Sequence, residues 1–430
     1  MKTEQLYELF RKSAGVSTDS RTVSKGEMFF SLWGDNYNGN QYAAEALGKG
    51  AICAVIDDPL YETEGTILVD DCLFELQALA THYRKELGVP VLAITGTNGK
   101  TTTKELIAAI MSRTRKVHCS KGNLNNHIGV PLSILSAPAD TELMVLEMGA
   151  SHQGEIRTLC MIARPDYGII TNIGTAHIEG FGSFENIVRT KTELYEYLRK
   201  VNGLAIYNDR NPLLSEQIYR MVNRAVPYSL PDGTELKVEA VSADHNLVVK
   251  VEFKRKEYII NTSLFGRHNV ENIHAAMASS IFLGAPVNDA VSAVEEYKPE
   301  ANRSQIMVTE KNTIYCDSYN ANPDSMRNAI ESFSEVKADK KVVILGDMLE
   351  LGNRAQDEHL NILRLLNSLG ISNVMLVGPV FKSMARDFGY KTFHDSERLR
   401  EYLTIKPVEG ASVLVKGSRG MMLEKVYSVL

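Results

Sequence analysis

The chain has 430 residues, 53 acidic and 47 basic, giving a formal charge of −6. An apolar fraction of 44% with 23% charged residues describes a folded globular protein, long enough for roughly two to four domains. The near-neutral balance argues against a broad nucleic-acid surface, which needs clustered cations. MKTEQLYELFRKS lacks an apolar core, so no secretory signal is expected, and no apolar run reaches membrane-spanning length. Five cysteines (Cys53, Cys72, Cys119, Cys160, Cys316) stand singly. They fit neither a disulfide framework nor a zinc site, and a reducing cytoplasm is the expected setting.

In chain order, short strands are predicted over 28–32, 52–56 and 66–69. Leu73, Leu76, Leu79, Ala80 and Tyr83 then repeat at spacings of three and four, one face of a helix that Gly88-Val89-Pro90 stops. Apolar runs at 91–94, 143–146, 167–170 and 204–207 alternate with helical patterns, the signature of a parallel sheet. From 236 to 264 the texture becomes alternating and β-rich, an antiparallel patch. Beyond Tyr297-Lys298-Pro299, strands at 313–316, 342–345, 374–377 and 412–415 again alternate with helices, so a second α/β sheet is expected.

Directly after the 91–94 strand comes Thr95-Gly96-Thr97-Asn98-Gly99-Lys100-Thr101-Thr102, followed by a helical run expected from near Lys104. Glycines let backbone N–H groups turn toward an anion, and a helix start adds its positive end. Lys100 can reach phosphate oxygens and Thr101 can ligate Mg²⁺. The first glycine is displaced relative to the usual G-x-x-x-x-G-K-[ST] spacing, yet the strand-loop-helix context points to ATP or GTP.

Glu147 ends the 143–146 run, where parallel sheets collect their ligands, and a carboxylate there suits Mg²⁺. His177 lies in TNIGTAHIEGFGS, whose glycines predict a loop at the same sheet edge. It is read as a site residue or a structural one. Lys191, on a predicted helix, reads by itself as solvent-facing. An ammonium cannot bind Mg²⁺. Only the carbamate formed with CO₂ has the necessary oxygens.

Taken with GRHNVENIHAA (266–276), Asn302-Arg303-Ser304 and Asp317, the loop GTNGKTT resembles that of the Mur ligases, ATP-dependent amide-forming enzymes of peptidoglycan precursor synthesis. TDSRTVSKGEMFFSLWG, GNLNNHIGVPLSIL, LEMGASHQGEI, AHIEGFGS, DSYNANPDSM, ILGDMLELG and VLVKGSRG, spread over the whole chain, are similar to the branch that adds D-alanyl-D-alanine. The resemblance implies an α/β chain of three domains. A small mixed α/β N-terminal domain (1–88) would bind the UDP end of the substrate. A central P-loop ATPase-like parallel sheet (89–298) would bind ATP. A C-terminal Rossmann-like α/β domain (299–430) would close on ATP and receive the dipeptide.

It further implies that UDP-MurNAc-tripeptide and D-Ala-D-Ala are joined at the expense of ATP, through an acyl phosphate, by a cytoplasmic monomer. Gly96, Thr97, Asn98, Gly99, Lys100, Thr101 and Thr102 would hold the ATP phosphates, with Thr101 and Glu147 at one Mg²⁺. His177 and a carbamylated Lys191 would serve a second, and Asn269, Asn272, Arg303 and Asp317 would contact the nucleotide. Substrate candidates are Ser20, Arg21, Asn38 and Gly39 in the first domain and Asn125 and Asn126 beside the loop. In the third domain they are Asn320, Asn322, Asp324, Lys416 and Arg419. Read without the resemblance, TDSR is an Asx-type turn, the Asn-rich stretch a helix entry and the Lys416–Arg419 stretch a solvated loop. The rival readings are a related ligase with another amino-acid substrate, a P-loop kinase and a nucleotide-binding regulator without turnover.

Overall fold

The structure is a computed structural model and describes residues 3–231, 235–299 and 302–430. Two large parallel sheets dominate. In the central one the strand order is Ala225–Pro227, Leu204–Tyr207, Tyr167–Ile170, Val91–Thr95, Leu143–Glu147 and Val117–Cys119, all parallel. Val91–Thr95 is buried throughout, which accounts for its unbroken apolar run. Its neighbours come from later in the chain on both sides, so the loop that follows it emerges at a switch point of the sheet.

The other large sheet runs Gln305–Val308, Asn312–Asp317, Ala411–Lys416, Lys341–Gly346, Val374–Val377 and Lys391–Phe393. Only Gln305–Val308 is antiparallel to its neighbour. Four short parallel strands (Val16–Ser17, Met28–Phe30, Cys53–Ile56, Thr66–Leu68) form the N-terminal sheet. The β-rich patch is a three-stranded antiparallel meander, Leu236–Ser242, Val248–Phe253 and Lys256–Asn261.

The helix Cys72–Leu87 starts at Asp71, whose side chain accepts from Phe74 N, and ends at Gly88 with φ +62. Its buried Leu76, Leu79 and Ala80 join a cluster that continues into Val130, Ile134, Leu159 and Ile162 of the central helices. Buried Arg84 adds bonds to the Ala163 and Arg164 carbonyls and to Asp166, 2.9 Å away. Several expectations need correcting. The helix after the loop begins at Lys100, not Lys104, because left-handed Gly99 turns the chain straight into it. The His177 stretch is not all loop, since Ile178–Phe181 forms one helical turn. Among the described residues seven strands (16–17, 33–34, 37–38, 117–119, 225–227, 305–308, 391–393) lie outside the sequence expectation, each too short to show a period.

Candidate active site

The carboxyl edges of the two large sheets meet across one cavity of about 1530 Å³. From the central sheet come the 96–102 loop, Glu147 and Asn172, and from the third domain Asp317, Asn320 and Lys416. The loop has glycine where nothing else fits. At Gly96 (φ +142) a Cβ would overlap the Thr171 hydroxyl, and at Gly99 (φ +79) the Asn272 carboxamide. Asn172 Oδ1 accepts from Asn98 N at 2.9 Å, and Thr171 Oγ1 donates to Asn98 O at 2.6 Å. The loop is thus clamped by the neighbouring strand end. Lys100 Nζ donates to the Gly96 and Thr97 carbonyls at 2.8 and 3.0 Å. Burial lowers its pKa, Glu147 opposes that and Arg303 adds to it.

Thr101 Oγ1 donates to Glu147 Oε2 at 2.8 Å, and Asn125 Nδ2 holds Glu147 Oε1 at 2.8 Å. Asn126 caps loop backbone instead, accepting from Ile128 N and Gly129 N. Asn269 and Asn272 are buried. Asn272 donates to Asn269 Oδ1 at 2.8 Å, and Asn269 donates to Phe265 O at 2.7 Å. This chain props the loop from behind.

Lys191 does not face solvent. It is 3% exposed, lines the cavity and carries its ammonium 5.8 Å from the Phe181 ring centroid. A single helix face cannot be judged from sequence when a neighbouring one-turn helix covers it. Burial and then the charge of Lys100 push its pKa down to about 7, against the pull of Glu155, Glu147 and Glu193. Glu193, also buried, accepts from Gly154 N and Arg157 N and fixes the turn opposite.

Third-domain groups reach the loop directly. Asn322 caps Pro323–Glu335 in a capping box with Ser325, and its Nδ2 also donates to Asn98 Oδ1 at 2.8 Å. The helix-entry reading holds, and the same residue lines the cavity. Asp324 Oδ2 accepts from Thr175 N at 3.1 Å. Lys416 is not in a solvated loop. It ends its strand, 2% exposed, with Nζ 2.6 Å from Asp317 Oδ2 and 3.3 Å from Asn320 O. Burial raises the Asp317 pKa, but the charge and hydrogen bond of Lys416, with His268 and the Ser304 N–H, together outweigh it and the net shift is downward.

Sequence reasoning missed Tyr319. The Arg303 guanidinium lies 3.3 Å from its ring centroid and that of Arg419 lies 5.6 Å away. Arg419 itself is exposed and does not line the cavity. Nor do Ser20, Arg21, Asn38 and Gly39. Arg21 closes a turn onto Asp19, Asn38 caps the turn at Asn40, and Gly39 sits where a Cβ would overlap Leu32 O. Lys49 donates to Ser20 O.

This arrangement has counterparts among known proteins. Residues 94–280 match the Mur ligase middle domain, and residues 302–419 match the Mur ligase, glutamate ligase domain. The chain belongs to the Mur ligase family. It is 34% identical to the UDP-N-acetylmuramoyl-tripeptide–D-alanyl-D-alanine ligase of Bacillus subtilis, over 97% of this chain and 93% of that protein. With the Escherichia coli enzyme of the same name it shares 32% over 96% and 93%. A crystal structure of MurF from Acinetobacter baumannii superposes with a TM-score of 0.86 at 27% identity, over 99% of this chain and 98% of that one. MurF from Thermotoga maritima in complex with ADP gives 0.84 at 27%, over 100% and 98%. In this Mur ligase no helix among the described residues is long and apolar enough to cross a membrane.

Proposed function

We infer that this Mur ligase joins D-alanyl-D-alanine to UDP-N-acetylmuramoyl-tripeptide, converting ATP to ADP and phosphate and yielding UDP-MurNAc-pentapeptide. Full-length similarity to ligases of that name carries the reading. The cavity geometry is consistent with it. Residues 1–88 would take the UDP end, 89–298 ATP and 299–430 the dipeptide, in a cytoplasmic monomer.

The chemistry needs two displacements. The tripeptide carboxylate attacks the γ-phosphorus, forming an acyl phosphate and releasing ADP. The dipeptide amine then attacks the acyl carbon, loses a proton and expels phosphate. In the first step two anions approach each other, so the site must supply positive charge and alignment. Lys100 and the 96–102 amides would hold the phosphates, with Lys100 exchanging its two carbonyl partners for phosphoryl oxygens. Arg303 and Asp317, beside Tyr319, would meet the nucleotide from the third domain, and Asn269 and Asn272 would keep the loop in register.

The residues present suit Mg²⁺. Thr101 and Glu147 offer a hydroxyl and a carboxylate 2.8 Å apart, hard oxygen donors at a strand end. Among the described residues no three His, Cys, Asp or Glu side chains form a ready cage, as expected when phosphate oxygens and water complete the shell. When bound, Mg²⁺ would neutralise phosphate charge. Burial and the Lys100 charge push the Lys191 pKa down to about 7, which makes available part of the neutral amine that carbamate formation requires. As a carbamate it would stand with His177 at a second cation.

The test is phosphate release with ATP, Mg²⁺ and UDP-MurNAc-tripeptide, with and without D-Ala-D-Ala, and product masses. Dipeptide-dependent release with a pentapeptide product is expected. A stable phosphorylated product with no need for an amine would instead identify a kinase.

A further inference from the structure

One side-chain contact at the junction of the central and third domains, His177 with Glu350, has no part in the two displacements. His177 precedes the helical turn Ile178–Phe181 with φ +55, and Glu350 has φ +63 in the loop after Lys341–Gly346. Two non-glycine residues in left-handed backbone thus face each other across the domain boundary, and the Glu350 carboxylate pairs with His177 Nδ1. Such conformations persist only where the surroundings enforce them.

On the third-domain side the enforcement is visible residue by residue. Buried Asp347 accepts from Val380 N and Phe381 N at 2.8 and 2.9 Å. Met348 N donates to the buried His359 Nε2 at 2.9 Å, and Leu349 N donates to Ser418 Oγ at 2.9 Å. Three successive residues are therefore pinned to three different elements, and Glu350 follows directly. Just beyond, a Cβ placed on Gly352 would lie 3.4 Å from Glu179, in the same turn that His177 begins. The loop meets that turn at two points.

We propose that Glu350 is a positioning residue, delivered by the third domain, which holds His177 with its proton on Nδ1 and leaves Nε2 as the donor to the second cation. This rests on the reading of His177 given above. A neutral imidazole carries one N–H, and an acceptor at Nδ1 fixes where it sits. A carboxylate in that place also fixes the orientation of the ring. Because partner and ligand come from different domains, docking of the third domain and binding at His177 are coupled, each favouring the other equally.

Mn²⁺ is the probe. Its binding is counted by electron paramagnetic resonance in the full chain with ADP and UDP-MurNAc-tripeptide, and the His177 tautomer is read from imidazole ¹⁵N shifts. Glu350→Ala should weaken one Mn²⁺ site by about ten- to a hundredfold and remove the Nδ1–H signature. Glu350→Gln, which keeps an acceptor, should retain the tautomer with a smaller loss. Unchanged Mn²⁺ affinity and tautomer in Glu350→Ala, with the site lost in His177→Ala, would overturn the proposal and leave the reading intact. Unchanged affinity in His177→Ala as well would remove both.

Discussion

Leu76, Leu79 and Ala80 of the first domain share one buried apolar cluster with helices of the central domain, and Arg84 is stitched to the same surface. Between the central and third domains the contacts are of another kind: Asn98 with Asn322, Thr175 with Asp324, His177 with Glu350 and Arg267 with Glu335. Among the described residues Phe265 makes an apolar contact between them, packed on Tyr315 at 4.6 Å beside the chain crossing. Apolar packing cannot be opened without exposing surface to water, whereas each polar contact can be exchanged for water at a net cost of about 0.5–1.5 kcal/mol. On the function proposed above, the first joint would hold two domains together as one rigid body. The second would let the third domain dock and leave around Phe265, and residues of this polar joint line the cavity.

Substitutions can break each joint separately. The largest effect is expected from the chemistry they frame: Lys100→Ala should lower phosphate release about a thousandfold without moving the thermal midpoint. Normal turnover would remove the loop assignment. Leu79→Ala, at 0% exposure in the apolar joint, should cost about 2–5 kcal/mol. Calorimetry should still show the first two domains melting together. Separate transitions would contradict the rigid-body description.

His274 lies in the central domain, on the helix Asn269–Phe282. It is 4% exposed, and burial, then Arg210, push its pKa down to about 4. The unfolded histidine takes a proton near pH 6.5, while the folded one resists until about 4. Its contribution is therefore complete above pH 6.5 and is lost as pH falls toward 4, at up to about 1.4 kcal/mol per pH unit. The urea midpoint of His274→Gln should show a flatter pH dependence across that window, and an unchanged slope would refute this.

Lys191→Ala should reduce turnover about a hundredfold, with no rescue by added bicarbonate, whereas CO₂-depleted wild-type enzyme should be restored by it. Equal behaviour of the two would exclude a carbamate. The smallest effect is at the polar joint. Asp324→Ala should change stability by less than about 1 kcal/mol while weakening steady-state kcat/KM several-fold, because only docking is affected. A large loss of stability would mean the joint is structural.

Much of this was readable in the sequence because the relevant signals are local. The buried strand Val91–Thr95, the glycine-bracketed loop and Lys100 occupy one stretch, and the helix face of Leu76, Leu79 and Ala80 repeats at regular spacing. What could not be read depends on distant packing. The burial of Lys191 is created in part by Phe181 in a separate helical turn, and Lys416 is neutralised by a strand about a hundred residues earlier. The Tyr319 stack has no spacing to announce it. Glu350 lay within a motif already noticed, ILGDMLELG, but its partner lies in another domain.

The difference between the two joints is tested most directly by pulsed electron paramagnetic resonance distances between spin labels. Cys119 is the partly exposed cysteine and the other four are buried, so a Cys119→Ser background is suitable. One label pair spans the first and central domains, the other the central and third. With a non-hydrolysable ATP analogue and UDP-MurNAc-tripeptide, the first distance should stay constant and the second narrow from a broad distribution to a single short one. A first distance that moves, or a second that is already single without ligand and does not change, would contradict the account.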